Sequence, residues 1–177
     1  SKEPSNSDNL PIAPSLLSYK RKEIILQYMQ FIDYVRYVTN SQNIQSVSKV
    51  SELSEIEDAF YDESNREKLK FVIDLKKNFV KELLAPSLVK DVISAAKKEA
   101  ANFEYKTWGQ LIDYCSNFNG TVIRFLLALH DESPTTYIPA ASLGVAFQML
   151  VNLKNLKHDA FSLRKVYIPK DMLDEYG

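Results

Sequence analysis

The amino-acid sequence predicts an all-α protein. Only 4 of its 177 residues are Gly, which is fewer than the tight turns of a β-sandwich or the phosphate loop of a nucleotide-binding α/β domain require. Apolar residues recur instead at spacings of three and four residues, the repeat of an amphipathic helix. Ser54, Ser64 and Thr107 are each followed three positions later by Glu or Gln, a pattern that begins many helices.

The first half of the chain divides into an arm and a series of helices. Residues 1–15 are polar and proline-rich, so they predict an extended N-terminal arm, and residues 16–177 predict a single helical domain. An apolar stripe predicts a helix over residues 16–39, and the polar residues 41–51 predict a loop. The further helices of this half are predicted at 54–62, starting at Ser54, at 65–84, starting at Ser64, and from Pro86 to about residue 103.

The second half contains the strongest helical signals. Thr107 and Gln110 predict a helix start, and the apolar stripe that follows predicts a helix to about His130. Residues 133–139 predict a loop, and residues 140–156 predict another helix, buried in a protein core. Gly120 and Gly144 lie inside these two helices, where each is either tolerated by chance or required by a close helix–helix or ligand approach.

Charge, cysteine and histidine content exclude several classes of protein. The 22 basic and 23 acidic residues lack the basic excess of a general nucleic-acid binder. The single cysteine, Cys115, excludes an internal disulfide, and the two histidines lack the spacing of a zinc site. The uncharged run 133–153 is too polar and too short in its helical part to span a bilayer, so we expect contact with a membrane surface at most.

Two charged clusters are candidates for chemistry. Asp58 and Asp62 have the i, i+4 spacing of a carboxylate metal site, with Glu55 on the same face, but a solvated acidic face is the simpler interpretation. From Lys154 to Lys170, five cations accompany one acid. This basic strip suits a diphosphate, an anionic lipid or an acidic partner, and it equally suits the solvated C-terminal end of a helix.

Motifs of the second half resemble those of the squalene/phytoene synthase family. The segment WGQLIDYCSNFNG carries a Trp, a Leu, a Tyr-Cys pair and a small residue before Gly; GVAFQ carries Gly-x-Ala-x-Gln; RKVYIP carries a basic–aromatic–Pro signature. The matching residues are Trp108, Leu111, Tyr114, Cys115, Asn119, Gly120, Gly144, Ala146, Gln148 and Arg164 to Pro169. The resemblance is good over residues 107–177 and implies an isoprenoid-synthase-like helical bundle.

The resemblance also shows where this chain departs from the family. Family members couple two prenyl diphosphates, using Mg²⁺ ions held by two Asp-x-x-x-Asp motifs on facing helices. Here the first motif falls on Arg36, or its neighbour Tyr37, and Asn40, and the second falls on Asn155 and Asp159. A guanidinium about 4 Å from a divalent metal repels it by several kcal/mol. The degenerate motifs therefore imply a pseudoenzyme with no catalytic residue, bound metal or cofactor.

Family members continue beyond the Tyr-x-Pro signature into further helices. We therefore expect a C-terminally truncated bundle, in which the helices 108–129 and 140–156 are partly uncovered. Exposed apolar surface of that kind predicts a partner. The expected partner is another protein subunit of a larger assembly.

The leading hypothesis from the sequence is a non-catalytic protein. It would be a structural (supernumerary) subunit or an assembly factor of a mitochondrial inner-membrane complex, on the matrix side and peripheral to the membrane. The stretch from Lys154 to Pro169 looks like a mitochondrial branch of the family that serves in complex I assembly. No nucleic-acid partner is expected.

Two alternatives remain open. The first is a Mg-dependent prenyl diphosphate transferase that uses Asp58 and Asp62 together with Asp159. The second is an isoprenoid- or phospholipid-binding module. The residues expected to contact a lipid or diphosphate are Tyr114, Gln148, Lys154, Arg164 and Lys165.

Overall fold

The computed structural model describes residues 19–61, 69–101 and 104–176. The predicted arm 1–15, the helix start at Ser64 and the candidate ligand Asp62 lie outside these ranges. Within them the chain is helical, and the only strand-like pairing is one isolated bridge between Glu104 and Val166. The predicted all-α class is confirmed.

The helices follow one another in the order α1 to α8, and two of their junctions are π-helical. The bounds are α1 Tyr19–Asn40, α2 Ser46–Tyr61, α3 Lys70–Lys81, α4 Ser87–Ala101, α5 Trp108–Cys115, π1 Ser116–Gly120, α6 Thr121–Leu129, α7 Pro134–His158, π2 Asp159–Leu163 and α8 Lys170–Tyr176.

Helix α2 begins earlier than the sequence predicts. It starts at Ser46, inside the predicted loop 41–51, so Ser54 lies within the helix rather than at its start. Most of the first turn faces solvent and needs no apolar residue, whereas Leu53 and Ile56 further along are buried. Burial of the later turns stabilises the whole helix, including a first turn without a sequence signal.

Helices α5 and α6 form one continuous rod through π1, as the stripe over 108–129 predicts. The predicted start is confirmed: the Thr107 hydroxyl accepts a hydrogen bond from the Gln110 N–H at 3.3 Å. The Gln110 side chain in turn accepts from the Lys106 N–H at 2.9 Å. Most of the rod's apolar stripe is buried inside the chain itself: Leu111, Phe125 and Leu129 are at most 4% exposed, whereas Trp108 at its start is 46% exposed.

Helix α7 is longer than predicted, because the expected loop 133–139 is wrong. Ser133 caps the helix, and Pro134 occupies the first turn, where a missing N–H costs nothing. Pro139 lies inside the helix without ending it. The 25-residue helix therefore starts before Pro139, the residue predicted to end the preceding loop.

The main core is formed by α1 to α4 together with α6. Tyr28 lies at its centre: its ring stacks on Phe125 at 3.9 Å between centroids, and its hydroxyl donates to the Leu88 carbonyl at 2.7 Å. A smaller cluster of Tyr105, Leu111 and Cys115 lies beside α7. Burial raises the pKa of the Cys115 thiol to about 12, so this thiol stays protonated at neutral pH.

Helix α7 keeps an exposed apolar face, contrary to the expectation of a buried core helix. Leu143, Leu150 and Leu153 are each more than 60% exposed and lie on one stripe. By length and composition, one helical stretch of the described chain, Thr135–Leu163, could cross a membrane, and only 17% of its apolar window is buried. A single stretch of this kind is weak evidence for a membrane span.

Candidate active site

Arg36 lies where α1, π1 and α7 meet. Its Nη2 donates to Asn119 Oδ1 at 3.2 Å and to Gln148 Oε1 at 3.4 Å. Its guanidinium lies 5.0 Å from the centroid of the Phe118 ring, within the range of a cation–π contact. The first motif position is therefore occupied by a cation whose orientation is fixed by two amides and an aromatic face.

The amide groups around Arg36 form a directed chain. Because Gln148 Oε1 accepts from Arg36, Gln148 Nε2 is the donor to Asn152 Oδ1, at 2.7 Å. Asn119 likewise gives its oxygen to Arg36. The Nδ2 atoms of Asn119 and Asn152 are buried donors with no hydrogen-bond partner among the described residues.

The local backbone explains why these groups meet. In a π-helix the turn is wider than in an α-helix, and such turns are frequent at functional sites. A Cβ atom added at Gly144 of α7 would lie 2.8 Å from the backbone oxygen of Asn119 in π1 and 3.0 Å from Ile123 Cγ1. Gly144 thus permits α7 to lie directly on π1, which confirms the close-approach interpretation for this glycine. At Gly120 the nearest atoms would be 3.6 Å away, an ordinary contact.

A second cation, Lys165, is held at the C-terminal end of α1. Its ammonium donates to Asn40 Oδ1 at 2.8 Å, to Glu99 Oε1 at 2.7 Å and to the Thr39 carbonyl at 3.3 Å. The side chains of Lys165 and Glu99 are 7% and 3% exposed. The amide at the second position of the first motif is therefore already bound to an internal ammonium.

Glu99 is the centre of a buried polar cluster. Burial by itself would raise the pKa of its carboxyl, but the Lys165 charge and hydrogen bonds from Lys165, Tyr167 and Tyr114 outweigh it and hold the pKa below its usual value. Burial, followed by the nearby Glu99 charge, raises the pKa of Tyr114 and Tyr167 well above the ordinary value. Glu99 is thus ionised and both tyrosines are neutral hydrogen-bond donors.

The second motif lies at the junction of α7 and π2. Asp159 is buried, and its Oδ1 lies 3.3 Å from His158 Nδ1. Asn155 is half-buried one turn earlier. The two predicted positions of the second motif thus lie one turn apart, Asn155 in α7 and Asp159 at the start of π2.

The residues at the two motifs do not fit a divalent metal. In the described part of the chain, no three His, Cys, Asp or Glu side chains come together as a metal-binding group. The amide oxygens of Asn40, Asn119 and Gln148, which could otherwise bind a metal, already accept hydrogen bonds from Lys165 or Arg36.

The other predicted contact residues lie in different surroundings. Lys154 and Arg164 are exposed, whereas Lys165 is buried and Tyr114 lies in the Glu99 cluster. Asp58 is exposed on α2, on the side expected of a solvated acidic face. The structure brings together Arg36, Gln148 and Asn119, and separately Asn40 and Lys165.

Sequence reasoning missed Glu99 and Asn152, and it assigned no contact to Tyr167 of the RKVYIP motif. A signal for Glu99 was present: it falls at helical spacing on the apolar stripe that contains Leu88, Val92 and Ala95. A charged residue on such a stripe is almost never buried unless it is paired. Its partner, Lys165, is 66 residues away, and no local pattern identifies it.

The chain is similar to three bacterial proteins of known name. It is 29% identical to the hydroxysqualene synthase of Rhodopseudomonas palustris over 105 residues. This matched stretch is 59% of this chain and 36% of that protein. The hydroxysqualene synthase of Sinorhizobium fredii is 31% identical over 94 residues, 53% of this chain and 32% of that protein. That of Zymomonas mobilis is 29% identical over 87 residues, 49% and 29% of the two chains. This chain thus spans about a third of the length of these relatives. No solved structure matches it significantly.

These relatives overturn the prediction of a non-catalytic protein. All three carry the name of an enzyme, which points to an enzyme rather than a pseudoenzyme. The prediction rested on the expected loss of metal ligands, and that loss by itself does not remove catalysis. Fixed Arg and Lys cations also stabilise the charge of a departing phosphate group, and Arg36, held by Asn119 and Gln148, is a fixed cation.

A family comparison covers almost the whole chain. The model that describes squalene/phytoene synthases matches residues 8–177, which extends the resemblance from the second half of the sequence to the first. Together with the all-α fold, this match gives the family: the chain belongs to the squalene/phytoene synthase family.

Proposed function

We propose that the protein is an isoprenoid-forming enzyme that makes hydroxysqualene or a closely related alcohol. The observation that carries this proposal is the shared name of the three relatives, at 29–31% identity. The chain spans about a third of each relative. The activity of those whole proteins is therefore a proposal for this chain. The family match and the Arg36 site support it.

The chemistry requires charge neutralisation and water, but no redox partner. When two farnesyl diphosphates couple, each carbon–oxygen bond breaks and its electron pair leaves with the diphosphate. One proton is lost as the chains join, and a water oxygen bonds the remaining carbocation and releases its own proton. The product is an alcohol, and no oxidant or reductant is consumed.

Arg36 is the residue to which we assign the neutralisation of a departing diphosphate. Its planar guanidinium matches the geometry of phosphate oxygens. Asn119 and Gln148 already fix its orientation, so it needs no reorganisation as negative charge develops. It is half-buried on α1, where the surrounding protein screens it less than bulk water would.

The test is turnover of farnesyl diphosphate by the protein, measured as released diphosphate and, by gas chromatography–mass spectrometry, as an isoprenoid alcohol. We expect Arg36→Gln to lower the rate by about 10²-fold. The control is Arg21→Gln, a cation on the same helix whose partner is the exposed Asp131; it should leave the rate unchanged. Absence of diphosphate release both with Mg²⁺ and with a chelator, or full activity of Arg36→Gln, would contradict the proposal.

Location and partners stay predictions. The matrix side of the mitochondrial inner membrane is the predicted location, and fractionation of the native cell tests it directly. The exposed stripe of α7, with Leu143, Leu150 and Leu153, is the surface that supports the predicted subunit contact. On the stripe over 108–129, Leu111, Phe125 and Leu129 are buried, and the exposed Trp108 is the part of it that supports such a contact.

A further inference from the structure

Helix α7 carries a straight row of side chains that no other described helix covers. The row advances by alternating steps of four and three residues, and all its members are exposed: Pro139, Leu143, Ala146, Leu150, Leu153 and Lys157. This alternation is the a/d repeat of a coiled coil, in which each helix buries one such row against a partner helix. At 1.5 Å per residue the row is about 27 Å long. Its spacing therefore suits contact with another helix.

The two ends of the row carry opposite charges. Lys157 is exposed at its C-terminal end, and Glu132 is exposed just before the N-terminal end of α7. Glu132 continues the same repeat, because it lies seven residues before Pro139. Residues 133–153 contain no charged side chain. The surface is thus acidic at one end, uncharged in the middle and basic at the other end.

A surface with this order of charges is complementary to itself when two copies pack antiparallel. In an antiparallel pair of helices, the a positions of one helix face the d positions of the other, and a two-fold axis relates the two halves of the contact. With the axis between residues 144 and 145, the facing pairs are Leu143 with Ala146, Pro139 with Leu150, Thr136 with Leu153, and Glu132 with Lys157. The Glu132–Lys157 pair then occurs at both ends of the contact. A parallel pair would instead place like charges together.

We propose that a second copy of this chain packs on α7, with the two rows antiparallel and a Glu132–Lys157 ion pair at each end. An anionic membrane fits the row less well, because the acidic end would face lipid phosphates. Exposed ion pairs contribute little to affinity, so the apolar residues supply the attraction and the charges select the orientation. One helix per copy gives a contact below the roughly 1,200 Å² of stable interfaces. We therefore expect a weak dimer. This proposal does not depend on the proposed function.

The test is sedimentation equilibrium of the protein at about 1 to 300 µM, a range that brackets the expected micromolar Kd. We expect a reversible monomer–dimer equilibrium. Leu150→Glu places a carboxylate without a partner in the apolar centre, so it should weaken the dimer by about 10-fold or more. The control is Leu26→Glu, the same change at a leucine of α1 that is 58% exposed, and it should leave the Kd unchanged. Circular dichroism checks that each variant is folded.

Charge reversal tests the orientation of the two helices. Lys157→Glu and Glu132→Lys each place like charges at both ends of the contact, so each should weaken the dimer by about 3- to 10-fold. The double variant Glu132→Lys/Lys157→Glu should return the Kd to within about 2-fold of wild type. A wild type that is monomeric at every concentration, undiminished dimerisation of Leu150→Glu, or a double variant as weak as the single ones would overturn the proposal.

Vesicles of phosphatidylcholine and phosphatidylglycerol test the other occupant of this surface. The dimer predicts that the protein does not sediment with them through α7, so that Leu150→Glu and wild type behave alike. A monomeric protein that binds the vesicles and loses that binding in Leu150→Glu would assign the row to a membrane surface and would likewise overturn the proposal.

Discussion

At the scale of single residues, the tertiary partners of a charged group, rather than its position in the sequence, determine whether it is buried and ionised. Lys165 belongs to a basic strip that suits either an anionic ligand or a solvated helix end, yet its ammonium is enclosed by oxygens from α1 and α4. Glu99 is equally buried and is ionised because Lys165 is present. Removing either partner leaves the other as a buried group without charge compensation.

The first prediction concerns this buried pair. Lys165→Met removes the ammonium and leaves the Glu99 carboxylate in the core, so we expect a loss of about 3–5 kcal/mol in the free energy of unfolding. Denaturant unfolding measures it. The matched control is Lys170→Met, the same change at an exposed lysine that pairs with Asp174, and it should change little. The double variant Glu99→Gln/Lys165→Met should recover part of the loss; equal stability of Lys165→Met and wild type would contradict the assignment.

At the scale of helices, packing rather than propensity decides the geometry of the site. The rod formed by α5, π1 and α6 changes its winding at π1, and α7 lies against that turn at Gly144. The contact allows Gln148, one turn further along α7, to reach Arg36 on α1. Glycine costs about 1 kcal/mol in a helix interior relative to alanine, and here close packing on the neighbouring backbone offsets that cost.

The second prediction compares the two helix glycines. In Gly144→Ala the new methyl group would lie 2.8 Å from the backbone oxygen of Asn119, so α7 must shift and we expect a destabilisation of about 1–3 kcal/mol. Gly120→Ala is the matched control: its methyl group has 3.6 Å of room, and the gain in helix propensity should make it neutral or stabilising. Thermal unfolding of both variants measures the difference. A Gly144→Ala protein as stable as Gly120→Ala would show that the contact does not constrain α7.

At the scale of the whole molecule, the chain has one large core and a thinner layer on it. The core joins α1 to α4 with α6, whereas α7 covers π1 and α6 on one side and exposes leucines on the other. The Glu99 cluster connects the two parts, because Lys165 and Tyr167 come from the segment after π2 and Glu99 from α4. Its charge state therefore affects the stability of the entire fold.

The third prediction follows from the lowered pKa of Glu99. As the pH falls, the unfolded chain takes up a proton at this group near the ordinary carboxyl pKa of about 4.3, before the folded chain does. The contribution of Glu99 is thus fully present above that pKa and is lost as the pH decreases through the lower folded value. Unfolding free energies measured from neutral to acidic pH should show a flatter decline for Glu99→Gln than for wild type. Glu132→Gln, the same change at an exposed residue, should keep the wild-type slope; a wild-type slope in Glu99→Gln would contradict the prediction.

The sequence by itself determined the helical class, most helix positions and the family. These depend on local spacing: apolar stripes, the Thr107 cap and motifs such as those around Tyr114 and Gln148 are readable within a few residues. Its assignment of degenerate motif positions to Arg36, Asn40, Asn155 and Asp159 stays a prediction. Its errors were local as well, since the start of α2 has no signal of its own and Pro139 was taken for a boundary.

Only the tertiary structure decided which groups meet. Arg36 reaches Gln148 across 112 positions of sequence, and Lys165 reaches Asn40 across 125. Such pairs are set by the packing of α7 on π1 and by the return of the chain after π2, which no local pattern encodes. For the same reason the sequence could not show that Arg36 is held by Asn119 and Gln148, or that Lys165 lies beside Asn40. Arg36 and Lys165 meet their partners only when distant segments of the chain pack together, and that packing is a property of the whole fold.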